Sequence, residues 1–179
     1  MKIIQLLEKL EKSKVFGEFK KDNPKAFLCA GFIIMNLKQS IFESSLDFRD
    51  ENDIFTFKIP EEDKEAEITM LKEEIIKNPA APKPFEQLKE EDIKKIKLDI
   101  GDLKETSEKE LKKNKITQSL EDIIAIFHKM DEKLVWHLTC MAAGFTVVNI
   151  TLDANTKDVI KFEKKSLMDF VSVKKPEKK

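Results

Sequence analysis

The side chains best suited to chemistry in this 179-residue chain are two histidines and two cysteines. An imidazole can act as a general base or a metal ligand, and a thiolate as a nucleophile or a metal ligand. His137 follows Trp136 and precedes Cys140 by three positions in a run of strand-forming residues. Residues three apart in a strand point to opposite faces, which disfavours a shared metal ion or a Cys–His nucleophile pair. A pairing of Cys29 with His137 across strands stays open. His128 is expected at the C-terminal end of a helix, where its protonated ring would interact favourably with the helix dipole.

These five residues are the candidate ligand-binding residues, and no residue is assigned a catalytic or metal-binding role. Four glycines in the whole chain leave no room for a glycine-rich phosphate loop. No serine lies in a nucleophile-elbow context. Acidic runs such as 61–63 and 90–92 are typical of helix starts, where carboxylates interact well with the dipole. The sequence therefore favours a non-catalytic protein without a cofactor.

The charge balance argues against nucleic acid and membranes as partners. Lysine plus arginine number 33 against 34 acidic residues, and Arg49 is the single arginine. Arginine supplies the planar fork that grips phosphates and guanine edges, so a dedicated nucleic-acid reader is not expected. Residues 134–152 carry no formal charge but contain too many polar groups for a membrane span. The N-terminus is charged every few residues, unlike a signal peptide, and a cytoplasmic location is expected.

Apolar spacing predicts an α+β protein, with antiparallel meanders packed against helices. Helices are predicted at residues 2 to about 20, 61–77, 85–96, 100–114 and 116–127. Strands are predicted at 26–37, 41–48, 53–59, 134–141, 145–152 and 159–164. This divides the chain into a helix–meander half (1–78), a proline-rich connector (79–84), a second half (85–172) and a flexible tail (173–179). The halves could share one core or form one continuous sheet.

The two strand-rich regions read as an internal repeat of one helix followed by three strands. Omitting Asn52 from the first copy aligns four of its residues with four of the second, and Met35 falls on Met141. The aligned residues are Leu46, Asp47, Asp53 and Phe57 with Leu152, Asp153, Asp158 and Phe162. Asp47 and Asp153 would each accept hydrogen bonds from backbone N–H groups of the turn that follows, a structural role.

The run 148–160, Val-Asn-Ile-Thr-Leu-Asp-Ala-Asn-Thr-Lys-Asp-Val-Ile, resembles the terminal hairpin of PepSY-type domains. Val135-Trp136 is similar to the tryptophan-bearing strand that precedes this hairpin. The chain departs from the family at Lys157, where glycine is usual, and in lacking a secretion signal. The resemblance implies a cystatin-like shape, a helix across an antiparallel meander, and a role in inhibiting peptidases or in regulation by binding. It brings no catalytic residues.

Together these features predict a small intracellular binding or regulatory module that recognises a protein or peptide. The open sheet face and the strand edges are the candidate surfaces. The alternative is a small-molecule-binding protein or an enzyme with a pocket between helix and sheet, in which His137 or His128 supplies the polar group. The oligomeric state is left open.

Overall fold

A computed structural model describes residues 2–51, 53–60, 66–72 and 85–166, with backbone alone for 67–72 and 166. Asn52, the connector at 79–84 and the tail at 173–179 lie outside the described residues. The described part contains helices and one eight-stranded antiparallel sheet. No helix in this part is long and apolar enough to cross a membrane.

The strands of both halves form a single sheet. The first four are β1 (Phe27–Asn36), β2 (Ile41–Asp50), β3 (Asp53–Ile59) and β4 (Glu67–Lys72). The second four are β5 (Leu120–Met130), β6 (Lys133–Ala142), β7 (Thr146–Asp153) and β8 (Val159–Ser166). Their order across the sheet is β4-β3-β2-β1-β5-β6-β7-β8. Each set is a meander, and the antiparallel pairing of β1 with β5 joins the two at the centre. The continuous sheet is therefore the correct one of the two arrangements that the sequence left open.

Two short helices precede the first meander. Helix α1 (Ile3–Glu11) buries Ile3, Leu6, Leu7 and Leu10, the apolar stripe that its sequence spacing predicts. Ser13 interrupts the single helix expected there and caps α2 (Lys14–Asp22) by accepting a hydrogen bond from the Phe16 N–H. Phe16 and Phe19 of α2 then pack against Phe48 and Phe57 of the sheet, with ring centroids 5.0–6.2 Å apart.

The second meander is preceded by α3 (Glu90–Ile93), a single 3-10 turn at Ile100–Asp102 and α4 (Leu103–Lys113). Asp99 caps the 3-10 turn, accepting from Ile100 N–H and exchanging a reciprocal bond with Asp102. The same carboxylate also accepts from the Ile3 N–H, so it links the starts of two helices 96 residues apart. Helix α4 buries Leu103, Ser107, Glu110 and Leu111.

Two of the predicted helices are strands. The region 61–77 contains β4, which pairs with β3 along its length, and the region 116–127 forms most of β5. Only four residues of the predicted helix 85–96 are α-helical. Apolar residues in the 116–127 run fit both a helical stripe and strand alternation, and its pairing with β1 and β6 on both sides selects the strand. Each half thus has four strands where the sequence predicted three.

The extra strand in each half also undoes the predicted repeat alignment. The alignment matches the β2–β3 hairpin with the β7–β8 hairpin. In the observed order, β2 and β3 are the second and third strands of their meander, whereas β7 and β8 are the third and fourth. The aligned hairpins therefore hold different positions in the sheet.

The described helices all pack on one face of the sheet, the core face. Its buried residues include Leu46, Phe57, Phe127, Trp136 and Leu138, which belong to one apolar cluster with the helices. Gly31 lies on this face beneath α1, where an added Cβ would stand 3.0 Å from the Ile3 side chain. We call the opposite side the open face. Strand alternation places on it Phe32, Ile34, Ile124, Ile126, His128, Val135, His137 and Thr151.

Candidate functional site

The two histidines, which the sequence places nine residues apart, stack on each other on the open face. The rings of His128 in β5 and His137 in β6 have centroids 4.9 Å apart and are inclined by 18°. They are diagonal neighbours across the β5–β6 ladder, where His128 pairs with Val135 and His137 with Ile126. His128 is therefore not at the end of a helix, and the expected interaction with a helix dipole is wrong.

Protein groups hold one nitrogen of each ring. The Nδ1 of His128 is 3.0 Å from the backbone carbonyl of Lys129. A carbonyl can only accept, so this nitrogen carries the proton in the neutral ring and Nε2 has the lone pair. The Nδ1 of His137 is 2.9 Å from the hydroxyl of Thr151, which can donate or accept. Both rings are thus fixed in orientation from outside the stack.

The surroundings disfavour the charged form of both imidazoles. Burial lowers the pKa of His128, and the Lys129 carbonyl counters this only in part. Burial also lowers the pKa of His137, with smaller contributions from positive charge on His128 and Lys161. Charging one ring raises the electrostatic cost of charging the other. The pair is therefore expected to take up protons in two coupled steps at acidic pH.

The geometry of the pair does not match a shared metal ion. The lone pair of an imidazole nitrogen lies in the ring plane, so two nearly parallel rings direct their lone pairs along separate planes. A single ion bound by both would need one ring to turn out of the stack. No group of three or more histidine, cysteine or carboxylate side chains within the described residues could hold a metal.

A phenylalanine that follows the connector covers one side of the pair. The ring of Phe85 contacts His128, with centroids 5.0 Å apart. Three residues later, the Leu88 N–H donates to the Leu28 carbonyl near the start of β1, and Leu88 is buried. Glu86 forms an ion pair with Lys129, at 3.6 Å. The segment 85–88 thus anchors to both central strands next to the histidines.

The other three candidates lie elsewhere. Trp136 is fully buried on the core face, and its indole N–H donates to the Leu98 carbonyl at 2.9 Å. Cys140 is also on the core face, where burial raises the pKa of its thiol to about 11. The opposite orientations of His137 and Cys140 confirm the parity argument. Cys29 lies beside a bulge in β1, and its thiol donates to the Asp47 carbonyl at 3.3 Å. Because β5 lies between β1 and β6, Cys29 does not adjoin His137.

Beside the histidines, the centre of the open face is apolar. Four half-buried side chains form a square across the β1–β5 ladder, where Phe32 pairs with Ile126 and Ile34 with Ile124. None of the four belongs to the apolar cluster beneath the helices. The histidine pair and this apolar square together form the candidate site.

The four residues of the apolar square were missed from sequence, and so were two residues that contact the histidine pair. Thr151 is directly opposite His137 in the β6–β7 ladder, a register that follows from the meander and could have been counted from the turn. Phe85 has no such signal, because its contact with His128 depends on where the chain enters after the connector.

A shallow cleft of about 400 Å³ opens beside this region, lined by charged side chains. Its lining comprises Asp92, Lys95, Lys97, Lys129, Glu132, Leu134, Asn155 and Thr156. Lys129 is already paired with Glu132 at 2.7 Å and with Glu86. The remaining charges, Asp92, Lys95 and Lys97, are of both signs, so the cleft shows no selectivity for one ligand charge.

No protein-family model and no curated protein matches the chain. Among solved structures, it is similar to a predicted lipoprotein of Clostridium difficile 630 whose crystal structure was determined at 1.85 Å. The two sequences are 19% identical, the match covers 84% of this chain and 90% of that chain, and the TM-score is 0.47.

Proposed function

We propose that the protein is a non-catalytic binding or regulatory module whose open face receives a protein or peptide. The observation that carries this proposal is the apolar square on a sheet face that the described helices leave uncovered. Contiguous apolar side chains rimmed by polar ones are typical of interaction surfaces.

The alternative of a pocket between helix and sheet has less support. It requires His137 or His128 inside such a pocket, whereas both rings are on the face away from the helices. The helix–sheet layer is filled by large, fully buried side chains, among them Trp136 and Phe127. In the proposed binding surface, by contrast, both histidines lie on the face that receives the partner.

PepSY-like architecture is part of this proposal. The hairpin that carries the resemblance is β7–β8, and the tryptophan-bearing strand is β6. Asp153 accepts hydrogen bonds from the N–H groups of Asn155 and Thr156, at 2.8 and 3.0 Å, as the turn signature predicts. Lys157 has a φ of 71°, a left-handed conformation that accounts for glycine being usual there in the family. Leu103 and Leu111 of helix α4 are buried in the same apolar cluster as residues of this meander.

We also propose that the two halves are duplicated units, in a different register from the sequence alignment. Gly31, Leu46 and Phe57 are successive cross-strand partners on β1, β2 and β3. Ala125, Leu138 and Ile150 hold the same relation on β5, β6 and β7. All six are buried, and the antiparallel β1–β5 pairing is the arrangement that a two-fold axis between these strands would produce. An intracellular location completes the proposal, and it agrees with the two cysteines, which are buried and not joined in a disulfide.

The test replaces one apolar side chain at the centre of the site. Ile126→Lys places a charge in the apolar square, and its half-buried position should allow the chain to fold. Phe145→Lys is the matched control, because Phe145 is 70% exposed at the turn between β6 and β7, away from the square. Both variants and the parent chain are used as bait in extracts of the source organism.

We expect at least one protein, other copies of the chain included, to be retained by the parent and by Phe145→Lys and to be lost with Ile126→Lys. Circular dichroism confirms that the variants are folded. The proposal is wrong if nothing that the folded parent binds depends on Ile126.

A further inference from the structure

We propose that the open face is a self-complementary interface, and that its occupant is a second copy of this chain. The inference rests on the proposed function of the open face as a binding surface and names the partner. Two copies would stack sheet on sheet, with the helices of each copy on the outside, as the layers of a β-sandwich do.

The dimensions of the face suit this occupant. Eight strands spaced by about 4.8 Å place the outermost strands roughly 34 Å apart. Strands of eight residues at about 3.3 Å per residue extend roughly 26 Å. The product, roughly 900 Å² for the whole face, part of which Phe85 covers beside His128, is close to the ~800 Å² that each partner contributes to a standard stable interface. A single extended peptide would cover only a fraction of it.

Two neighbouring rows of side chains cross this face, and their composition resembles an interface core with a polar rim. Strand pairing defines the rows. The first row runs Lys58, Ser45, Phe32, Ile126, His137, Thr151, Lys161. The second row runs Glu43, Ile34, Ile124, Thr139, Asn149, Glu163. The five central strands β2, β1, β5, β6 and β7 contribute one formal charge to these rows, Glu43, and it lies at the end of its row.

The rows are complementary to each other. A two-fold axis that runs between them, across the strands, lays the first row of one copy over the second row of the other. Phe32 then faces Ile34, and Ile126 faces Ile124. At the β8 end, Lys161 and Glu163 form an ion pair within one copy, at 3.1 Å, and each also faces the opposite charge of the other copy. At the other end, Lys58 comes near Glu43.

The alternative two-fold axis, parallel to the strands, is unfavourable. This axis lays each row of one copy over the same row of the other copy in the reverse direction, so that the β8 end lies over the β3 end. Lys161 would then oppose Lys58, and Glu163 would come within one strand of Glu43. Like charges brought together at an interface cost free energy, so the charge pattern selects the axis that runs across the strands.

The histidine pair lies at the border of this interface. His137 belongs to the first row and faces Thr139 across the axis. The stack with His128 and the bond to Thr151 fix the orientation of the His137 ring within its own copy. A flat, neutral imidazole can be covered by a second sheet without burying a charge.

The experiment measures the mass of the full chain in solution. Sedimentation velocity and light scattering at roughly 1–200 µM should show a species of twice 20.8 kDa. Ile126→Lys should give monomer throughout this range. Phe145→Lys, an equal change outside the rows, should leave the dimer intact.

A charge exchange tests the orientation. Lys161→Glu brings two acidic residues together at both symmetry-related contacts and should weaken the dimer on the order of tenfold. Adding Glu163→Lys restores opposite charges across the axis and should recover most of the affinity. Lys164→Glu, the same charge change at a residue outside both rows, is the control.

A chain that stays monomeric at ~200 µM overturns the inference, and so does a dimer that Ile126→Lys leaves intact. A dimer that Lys161→Glu strengthens or leaves unchanged overturns the orientation. A monomer from which Ile126→Lys still removes another protein refutes the second copy as occupant while the proposed function stands. A monomer with no Ile126-dependent partner refutes both.

Discussion

The aspartates Asp47 and Asp153, which the sequence pattern treats as equivalent, should respond differently to replacement. Asp153 is 7% exposed, and one of its carboxylate oxygens accepts two backbone hydrogen bonds from the turn before β8. Asp47 lies in the middle of β2 and accepts from the hydroxyl of Thr56 across the ladder, at 2.7 Å. Burial raises the pKa of the Asp47 carboxyl, which means that its charged form is unfavourable in the fold.

The expected magnitudes follow from these contacts. A hydrogen bond to a charged acceptor contributes about 1.5–3 kcal/mol. Asp153→Ala removes two, but the freed N–H groups of the surface turn can bind water, so a loss of about 2 kcal/mol is expected. For a chain of this size that corresponds to a fall in Tm of about 4–8 °C. Asp153→Asn keeps a neutral acceptor and should lose about half as much.

Asp47→Asn keeps an oxygen for Thr56 and removes a charge that burial disfavours. Its free energy of unfolding at pH 7 should therefore change by less than about 0.5 kcal/mol, or rise. Urea denaturation of the parent and the three variants gives these values. Equal losses for Asp47→Asn and Asp153→Asn would refute the distinction between a turn-forming carboxylate and a mid-strand one.

Three further predictions concern the turn, the histidines and a thiol. Lys157→Gly should raise the free energy of unfolding by about 0.5–1 kcal/mol, because glycine removes the strain of a φ of 71°. The control Lys164→Gly, in the middle of β8, should lower the free energy of unfolding. Thermal melts in which both variants change stability with the same sign would contradict this prediction. The fold lowers the pKa values of His128 and His137 below 6.5. In acid, the folded state therefore binds fewer protons than the unfolded state. The contribution of the two histidines to stability is complete above about pH 6.5 and declines below it. Urea titrations at pH 7.5 and 5.0 should show a smaller decline in His137→Asn than in the parent, and equal declines would remove the pair from the pH dependence. The Cys140 thiol is fully buried, and burial raises its pKa to about 11. It should therefore react with an alkylating reagent only as fast as the native fold opens. Modification as fast as that of a thiol in an unfolded peptide would show that the core face is accessible.

Local sequence features were enough where a residue acts on its immediate neighbours. The run of apolar and β-branched residues at 27–36 forms β1, and the alternation at 133–153 forms β6 and β7. The opposite orientation of His137 and Cys140 follows from the two-residue period of a strand, and the role of Asp153 follows from the chemistry of its turn. These outcomes depend on torsion angles and contacts within a few residues.

Only the tertiary structure decided the elements and contacts that depend on distant partners. The apolar residues of 120–130 satisfy a helical period and a strand period equally, and hydrogen bonds from β1 and β6 decide between them. Once that segment is a strand, His128 moves from a helix end to the open face and stacks on His137. The pairing of β1 with β5 also sets the two apolar rows side by side across the centre of the sheet. Strand pairing joins residues about ninety positions apart, so no pattern confined to one segment can specify it.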